Sequence, residues 1–334
     1  MSRKVTSQDV ARAAGVSQSA VSRVFSGASA SKNTQAKVRQ AAADLGYRPN
    51  VLARSLITGQ SKIIGLVVAY LDNQFYPDAL QRFSNALHDL GYHILIFTAK
   101  TRGEGVDDLI GRLLDYQVDG IICASVGVSD ELTSRVEAAG IPMLLFNRGQ
   151  TGSPFAQVTS DNLSGSHKIA EYLVRGGHER FGHVAGWLGS STGQQRAKGF
   201  NQGLEAHGAH LSGQRDGLYS REAAAQAARE LVEQERCDAL FVSNDHMAFA
   251  VLDELRVKVG VKVPEEVSVV GYDDVPMAAW ASYDLTTYRQ PSNRMVAAAV
   301  ETMIKLIAGE VPETKEIEIP GALIERSTAR WPKE

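Results

Sequence analysis

From Ile63 onward the chain alternates short, continuously apolar runs with stretches of helical spacing, and few folds satisfy that pattern. Residues 63–69, 94–97, 120–124 and 142–146 read as buried strands, with helices predicted over 76–90, 106–116 and near 130–139. A second block repeats the theme, with helices over 163–175, 193–207, 221–234 and 245–257 and strands over 180–186, 239–243 and 267–272. Strands without polar alternation need cover on both faces, which argues for parallel sheets with helices on either side. Two such blocks predict two doubly wound α/β lobes, and a ligand belongs where the C-terminal ends of their strands face each other.

Residues 1–60 have no strand pattern, and their charge sets them apart. The 334-residue chain carries 35 basic and 38 acidic side chains, a net charge of −3. Nine of the basic residues fall before position 61 (Arg3, Lys4, Arg12, Arg23, Lys32, Lys37, Arg39, Arg48, Arg54) against two acids (Asp9, Asp44), so that segment is +7 and the remainder −10. A basic head on an acidic body points to one module for a polyanion and another for a different task. The longest apolar run, near 63–70, is too short to span a membrane, and the first residues lack the apolar stretch of a signal peptide, so a cytoplasmic protein with no membrane partner is expected. Cys123 and Cys237 stand alone, without metal-ligand spacing or a disulfide framework, so no metal or cofactor is expected.

The head reads as a helix-turn-helix. Ser7 is positioned to cap a first helix whose Val10, Ala11 and Ala14 share one face. Gly15 permits the tight turn, and Ser17 caps a second helix with Ala20, Val21 and Val24 inward. Gln18, Ser19, Ser22 and Arg23 then occupy the outer face of the second helix, where base edges in a major groove are reached. Gln and Arg suit bidentate contacts to adenine and guanine; the hydroxyls, with those of Ser7 and Ser17, suit phosphates or base edges. A third helix is predicted over 35–45, capped by Ser31 or Thr34, with Val38, Ala42 and Leu45 inward. Residues 46–50 break the chain before a short, weak helix over 51–57 and a polar connector, which puts the domain boundary near 60–61.

Six segments (9–17, 34–38, 45–50, 53–56, 269–274 and 285–287) resemble the lactose-repressor/galactose-repressor (LacI/GalR) family of transcription regulators in order and spacing. The resemblance implies a hinge helix over about 50–58 that folds on DNA, with Asn50 and Ala53 at the minor groove and Leu56 wedged into a base step. It also implies a body like a periplasmic sugar-binding protein, with crossings near 159–162, 288–291 and 318–321. Lobe one would be 62–160 plus 291–319, and lobe two 161–289 plus 320–330. By the same resemblance Arg196 clamps an effector and Asp273 pairs with it or with effector hydroxyls. Asn147 and Asn244 make polar contacts, Tyr219 stacks, and Phe75 and Tyr76 lie in the first lobe's contact loop. The lactose repressor has aspartate where Asn147 stands, and Arg148 beside it is a second cation at the cleft, favouring an acidic or phosphorylated sugar.

Two other classes fit the sequence less well. Residues 189–193 match G-x-S-x-G with Ser191 as nucleophile, but the downstream Asp245 and His246 are adjacent and point apart, so no enzyme is expected. A transport-system binding protein would carry a signal peptide and no basic head. His178 and His183 read as ordinary histidines, not metal ligands. One half-site of DNA is too short for genomic selectivity, so a homodimer on a pseudo-palindromic double-stranded operator is expected; no leucine heptads follow for a tetramer bundle.

Overall fold

The computed structural model describes residues 5–26, 29–48, 60–99 and 106–332, in two compact units, Met1–Lys62 and Ile63–Glu334.

In the first unit, helices α1 (Ser7–Ala14), α2 (Gln18–Ser26) and α3 (Lys32–Asp44) enclose Val10, Ala11, Val21, Val24, Val38, Ala41 and Ala42. The cap of α1 is Thr6 and not Ser7. The Thr6 hydroxyl accepts from the Asp9 amide, and the Asp9 carboxylate accepts from the Thr6 amide in return. A capping box satisfies two orphan donors where Ser7 alone could satisfy one, so the helix starts one residue earlier than expected, at Ser7 itself. Gly15 takes φ +65° at the turn, and the Ser17 hydroxyl accepts from the Ala20 amide at the start of α2. Ser31 caps α3, which begins at Lys32, three residues before its predicted start. Leu45 is 38% exposed, a further correction: it sits past the end of α3, where the helical spacing no longer turns it inward, and Ala41 fills the face instead.

The second unit holds two six-stranded sheets. Its elements run β1 (Ile63–Val68), α4 (Phe75–Asp89), β2 (His93–Thr98), α5 (Val106–Asp115), β3 (Gly120–Ala124), α6 (Asp130–Ala139), β4 (Met143–Phe146) and β5 (Ala156–Ser160). There follow α7 (Asn162–Arg175), β6 (Phe181–Ala185), α8 (Ser191–Ala206), β7 (Leu211–Asp216), α9 (Arg221–Glu233), β8 (Ala239–Val242), α10 (Asp245–Asp253), β9 (Ser268–Asp273) and β10 (Thr286–Arg289). The last are α11 (Ser292–Ile307), β11 (Glu316–Ile319) and β12 (Ala322–Ile324). One sheet has the order β11-β5-β4-β3-β1-β2, the other β12-β10-β9-β8-β6-β7. Every neighbouring pair is parallel except β10 and β12, so the body is doubly wound α/β as its apolar runs require. The chain passes between the sheets three times, from β5 to α7, from β10 to α11 and from β11 to β12.

Local chemistry explains the element ends. The Ser129 hydroxyl caps α6, and Gly140 closes it at φ +65°. Helices α7 and α8 approach closely because Gly199 and Gly203 leave room; a Cβ at Gly203 would lie 2.7 Å from Ala170 Cβ. The helix predicted over 245–257 loosens after Asp253 into a π-helical segment, Glu254–Val259.

Candidate functional site

A cleft lies between the two sheets of the second unit, enclosing about 420 Å³ of empty space with its open mouth included. Its walls come from segments that follow strand C-terminal ends: Tyr70, Asp72 and Asn73 after β1, Asn147 and Arg148 after β4, Tyr219 after β7, Asn244 and His246 after β8, and Asp273 ending β9. Thr192 and Arg196 enter from the first turns of α8. Four lining residues hold positive φ, Tyr70 (+59°), Asn147 (+67°), Tyr219 (+55°) and Asp273 (+131°), as does Asp274 (+57°) beside the wall. Such conformations cost roughly 1–3 kcal/mol each and concentrate where side chains must be aimed at a ligand.

Arg196 is buried and well held. Its Nε donates to Asn162 Oδ1 at 2.8 Å, its Nη1 to the Ser243 carbonyl, and its guanidinium lies 3.7 Å from the centre of the Tyr272 ring. Asp273 Oδ1 stands 3.9 Å from Arg196 Nη1 and accepts from Gln290 Nε2. Burial raises the Asp273 carboxyl above the usual carboxylate range, and Arg196 partly offsets this. Asp245, fully buried behind it, is raised further, first by burial and then by the charge of Asp273. Its oxygens accept from Thr287 Oγ1 at 2.6 Å and from the Val275 amide at 2.9 Å. On the other wall Asn147 Nδ2 donates to the Tyr76 hydroxyl (2.9 Å) and to Ser125 Oγ (3.1 Å), leaving Asn147 Oδ1 buried without a partner. Burial pushes the Tyr76 hydroxyl up to about 12, so it stays a neutral donor and acceptor.

Contacts cross the cleft at its rim. His246 Nε2 lies 3.5 Å from Asp72, the Tyr70 and Tyr219 rings meet edge to face at 6.0 Å, and Ser191 Oγ donates to the Gly149 carbonyl at 2.7 Å. Burial lowers the pKa of His246, with Asp72 opposing, so the imidazole is mostly neutral at neutral pH.

Seven of the residues singled out from the sequence (Tyr76, Asn147, Arg148, Arg196, Tyr219, Asn244 and Asp273) line this cavity. Phe75 does not: it is 3% exposed and packs on the rings of Tyr76 and Phe146. Asn244 spends its Oδ1 capping α10 at the Met247 amide. Tyr70, Asp72, Asn73, Thr192 and His246 were missed as wall residues. The hydrolase constellation does not assemble, since Ser191 bonds to a backbone carbonyl, Asp245 to Thr287, and His246 to Asp72. His183 is buried between Gln214 and Ser243, with its pKa lowered to about 4 by burial, and His178 faces Asp238 at 3.3 Å. Among the described residues no group of three or more His, Cys, Asp or Glu side chains could hold a metal, and no helix is long and apolar enough to cross a membrane.

In the first unit Ser17, Gln18, Ser19, Ser22 and Arg23 are exposed along one side of α2 and its cap, while Ala20, Val21 and Val24 are buried. Gln18 Nε2 donates to Ser7 Oγ at 3.0 Å, which joins the starts of α1 and α2 on that side. Asn50, Ala53 and Leu56, with the predicted helix over 51–57, lie outside the described residues.

Two family models match the chain. Residues 6–50 match the bacterial regulatory proteins of the lacI family, and residues 170–329 match a periplasmic binding protein-like domain. The HTH-type transcriptional regulator CelR of Thermobifida fusca is 31% identical over 338 residues, covering 98% of each chain. The HTH-type transcriptional repressor PurR of Vibrio atlanticus (strain LGP32) is 29% identical, covering 97% of this chain and 98% of its own. Among solved structures, a lac repressor dimer bound to operator and the anti-inducer ONPF has a TM-score of 0.88 at 27% identity, covering 98% of this chain and 99% of its own. A CelR–cellobiose complex has a TM-score of 0.73 at 29% identity, covering 98% and 100%.

Proposed function

The chain belongs to the lacI family of bacterial regulatory proteins, and from that premise we propose that it is a transcriptional repressor whose operator affinity is set by a sugar or sugar derivative in the cleft. The observation that carries the effector half is the cavity itself: Arg196 and Asp273 stand 3.9 Å apart on one wall, opposite Asn147 with an unpaired buried oxygen. Flat aromatic walls and converging hydrogen-bonding groups suit a hydroxylated ring. A relative of similar length was solved with cellobiose, which supports a sugar.

The DNA half rests on the exposed row of Gln18, Ser19, Ser22 and Arg23, with Asn50, Ala53 and Leu56 proposed as the minor-groove part. Binding as a homodimer doubles a half-site into a pseudo-palindrome long enough to be selective. An effector that fits the closed cleft better than the open one shifts that equilibrium and, through it, operator affinity. The reading leaves catalysis out, and the Ser191 hydroxyl is engaged with the Gly149 carbonyl.

Thermal unfolding in the presence of sugars, sugar acids and sugar phosphates tests the site. A ligand at a hundred times its Kd adds about 2.7 kcal/mol to stability, and Arg196→Ala should remove that gain. An undiminished gain in the folded variant would place the effector elsewhere.

A further inference from the structure

Arg148 follows Asn147 at the end of β4 and is 8% exposed. Its Nε is buried without a hydrogen-bond partner, and among the described residues no carboxylate stands in an ion pair with it. Three rings surround the guanidinium instead, with Tyr70 and Trp187 centred 5.8 Å away and Tyr219 5.9 Å away. Ring faces attract a cation but offer no acceptor in the plane of the N–H fork. A buried guanidinium is stable when its donors meet an anion, and here the protein supplies none.

The neighbouring charges are already committed. Arg196 is held by Asn162, the Ser243 carbonyl and Asp273, and Asp273 also receives Gln290. The Asp72 side chain is 71% exposed and faces His246. The buried wall therefore carries one uncompensated positive charge.

We infer that the effector bears a carboxylate, seated in the ring-lined slot with its oxygens on Arg148, and that its hydroxyls reach Asn147 Oδ1 and the Arg196–Asp273 wall. This rests on the reading of the cavity as the effector site. A carboxylate matches Arg148 in charge and in planar, two-oxygen geometry. A phosphate dianion would leave surplus negative charge close to Asp72 and Asp273.

The test is calorimetric titration of the full chain with D-gluconate, D-galactonate, D-glucuronate and D-galacturonate, beside D-glucose, D-galactose and D-glucose 6-phosphate. At least one acid should bind about tenfold or more tightly than its neutral counterpart, the size expected of a charge-assisted hydrogen-bonded pair. Arg148→Met should erase that preference and Arg148→Lys should keep part of it. A cooperative thermal unfolding transition and an unchanged far-UV circular dichroism spectrum for each variant show that it is folded. Equal or tighter binding of the neutral sugars, preference for the phosphate, an undiminished acid preference in Arg148→Met, or no binding by any acid would overturn the inference. Failure of the regulator reading is a separate result, seen as a wild-type chain with no selective affinity for any duplex.

Discussion

Gln18 illustrates how far a single residue could be read in advance. Its place on the outer face of α2 follows from helical spacing, but its bond to Ser7 does not, because that contact joins two helices. On DNA, Gln18 must exchange Ser7 for a base edge, so its contribution to affinity is the difference between two hydrogen bonds. Gln18→Ala should therefore flatten preference at one base-pair position by roughly 1–3 kcal/mol, whereas Lys37→Ala, an exposed cation on α3, should weaken all sequences alike. Anisotropy titrations against singly substituted operators would separate the two. A uniform loss with Gln18→Ala would remove it from base reading. The cleft was legible to a similar depth. Arg196 and Asp273 stand in recognisable segments, whereas Asp72, Asn73 and His246 are ordinary loop residues until the second sheet is brought opposite the first. Phe75 erred for the same reason: adjacent helical positions face different ways, so Tyr76 reaches the cavity while Phe75 fills the core.

At the level of elements, apolar strands and capped helices were readable and polar strands were not. β7 (Leu211–Asp216) is half-buried along its length and sits at a sheet edge, so its sequence has no apolar run. β11 and β12 are short edge strands whose residues are all exposed or half-buried. Pairing with a neighbour defines all three, and pairing leaves little trace in composition. Caps are subtler, and the head offers a test. Thr6→Ala removes the acceptor for the Asp9 amide and should destabilise the head by about 1 kcal/mol in urea unfolding. Ser7→Ala should cost visibly less; the reverse order would reinstate Ser7 as the cap. A second prediction concerns Asp245, which ties the start of α10 to β10 and to the chain after β9. Its carboxyl is raised above the ordinary 3.8, so the folded state holds a proton that the unfolded chain releases. Stability from this group is intact below pH 3.8 and is lost as pH rises through the raised value. Urea midpoints of the body should thus decline in that direction, and Asp245→Asn should flatten the slope. An unchanged slope in the variant would assign it to other groups.

For the whole molecule, the proposed control of DNA by the cleft is a statement about coupling. Three passages of the chain join the two sheets, and the rim contacts Asp72–His246, Tyr70–Tyr219 and Ser191–Gly149 connect them across the opening. A ligand can bias this pair of lobes only by fitting one arrangement better than another. If that bias is what reaches the operator, the factor by which effector changes operator Kd must equal the factor by which operator changes effector Kd, typically about 5–150-fold. Titrating each ligand in the absence and in saturating presence of the other measures both factors on one protein. They should agree, whether the effector tightens or loosens DNA binding. Arg196→Ala should bring both toward unity while leaving ligand-free operator affinity in place, because Arg196 is buried in the cleft wall. A variant that no longer bound effector in the cleft, yet still changed its operator affinity on adding effector, would show that control enters the protein by another route.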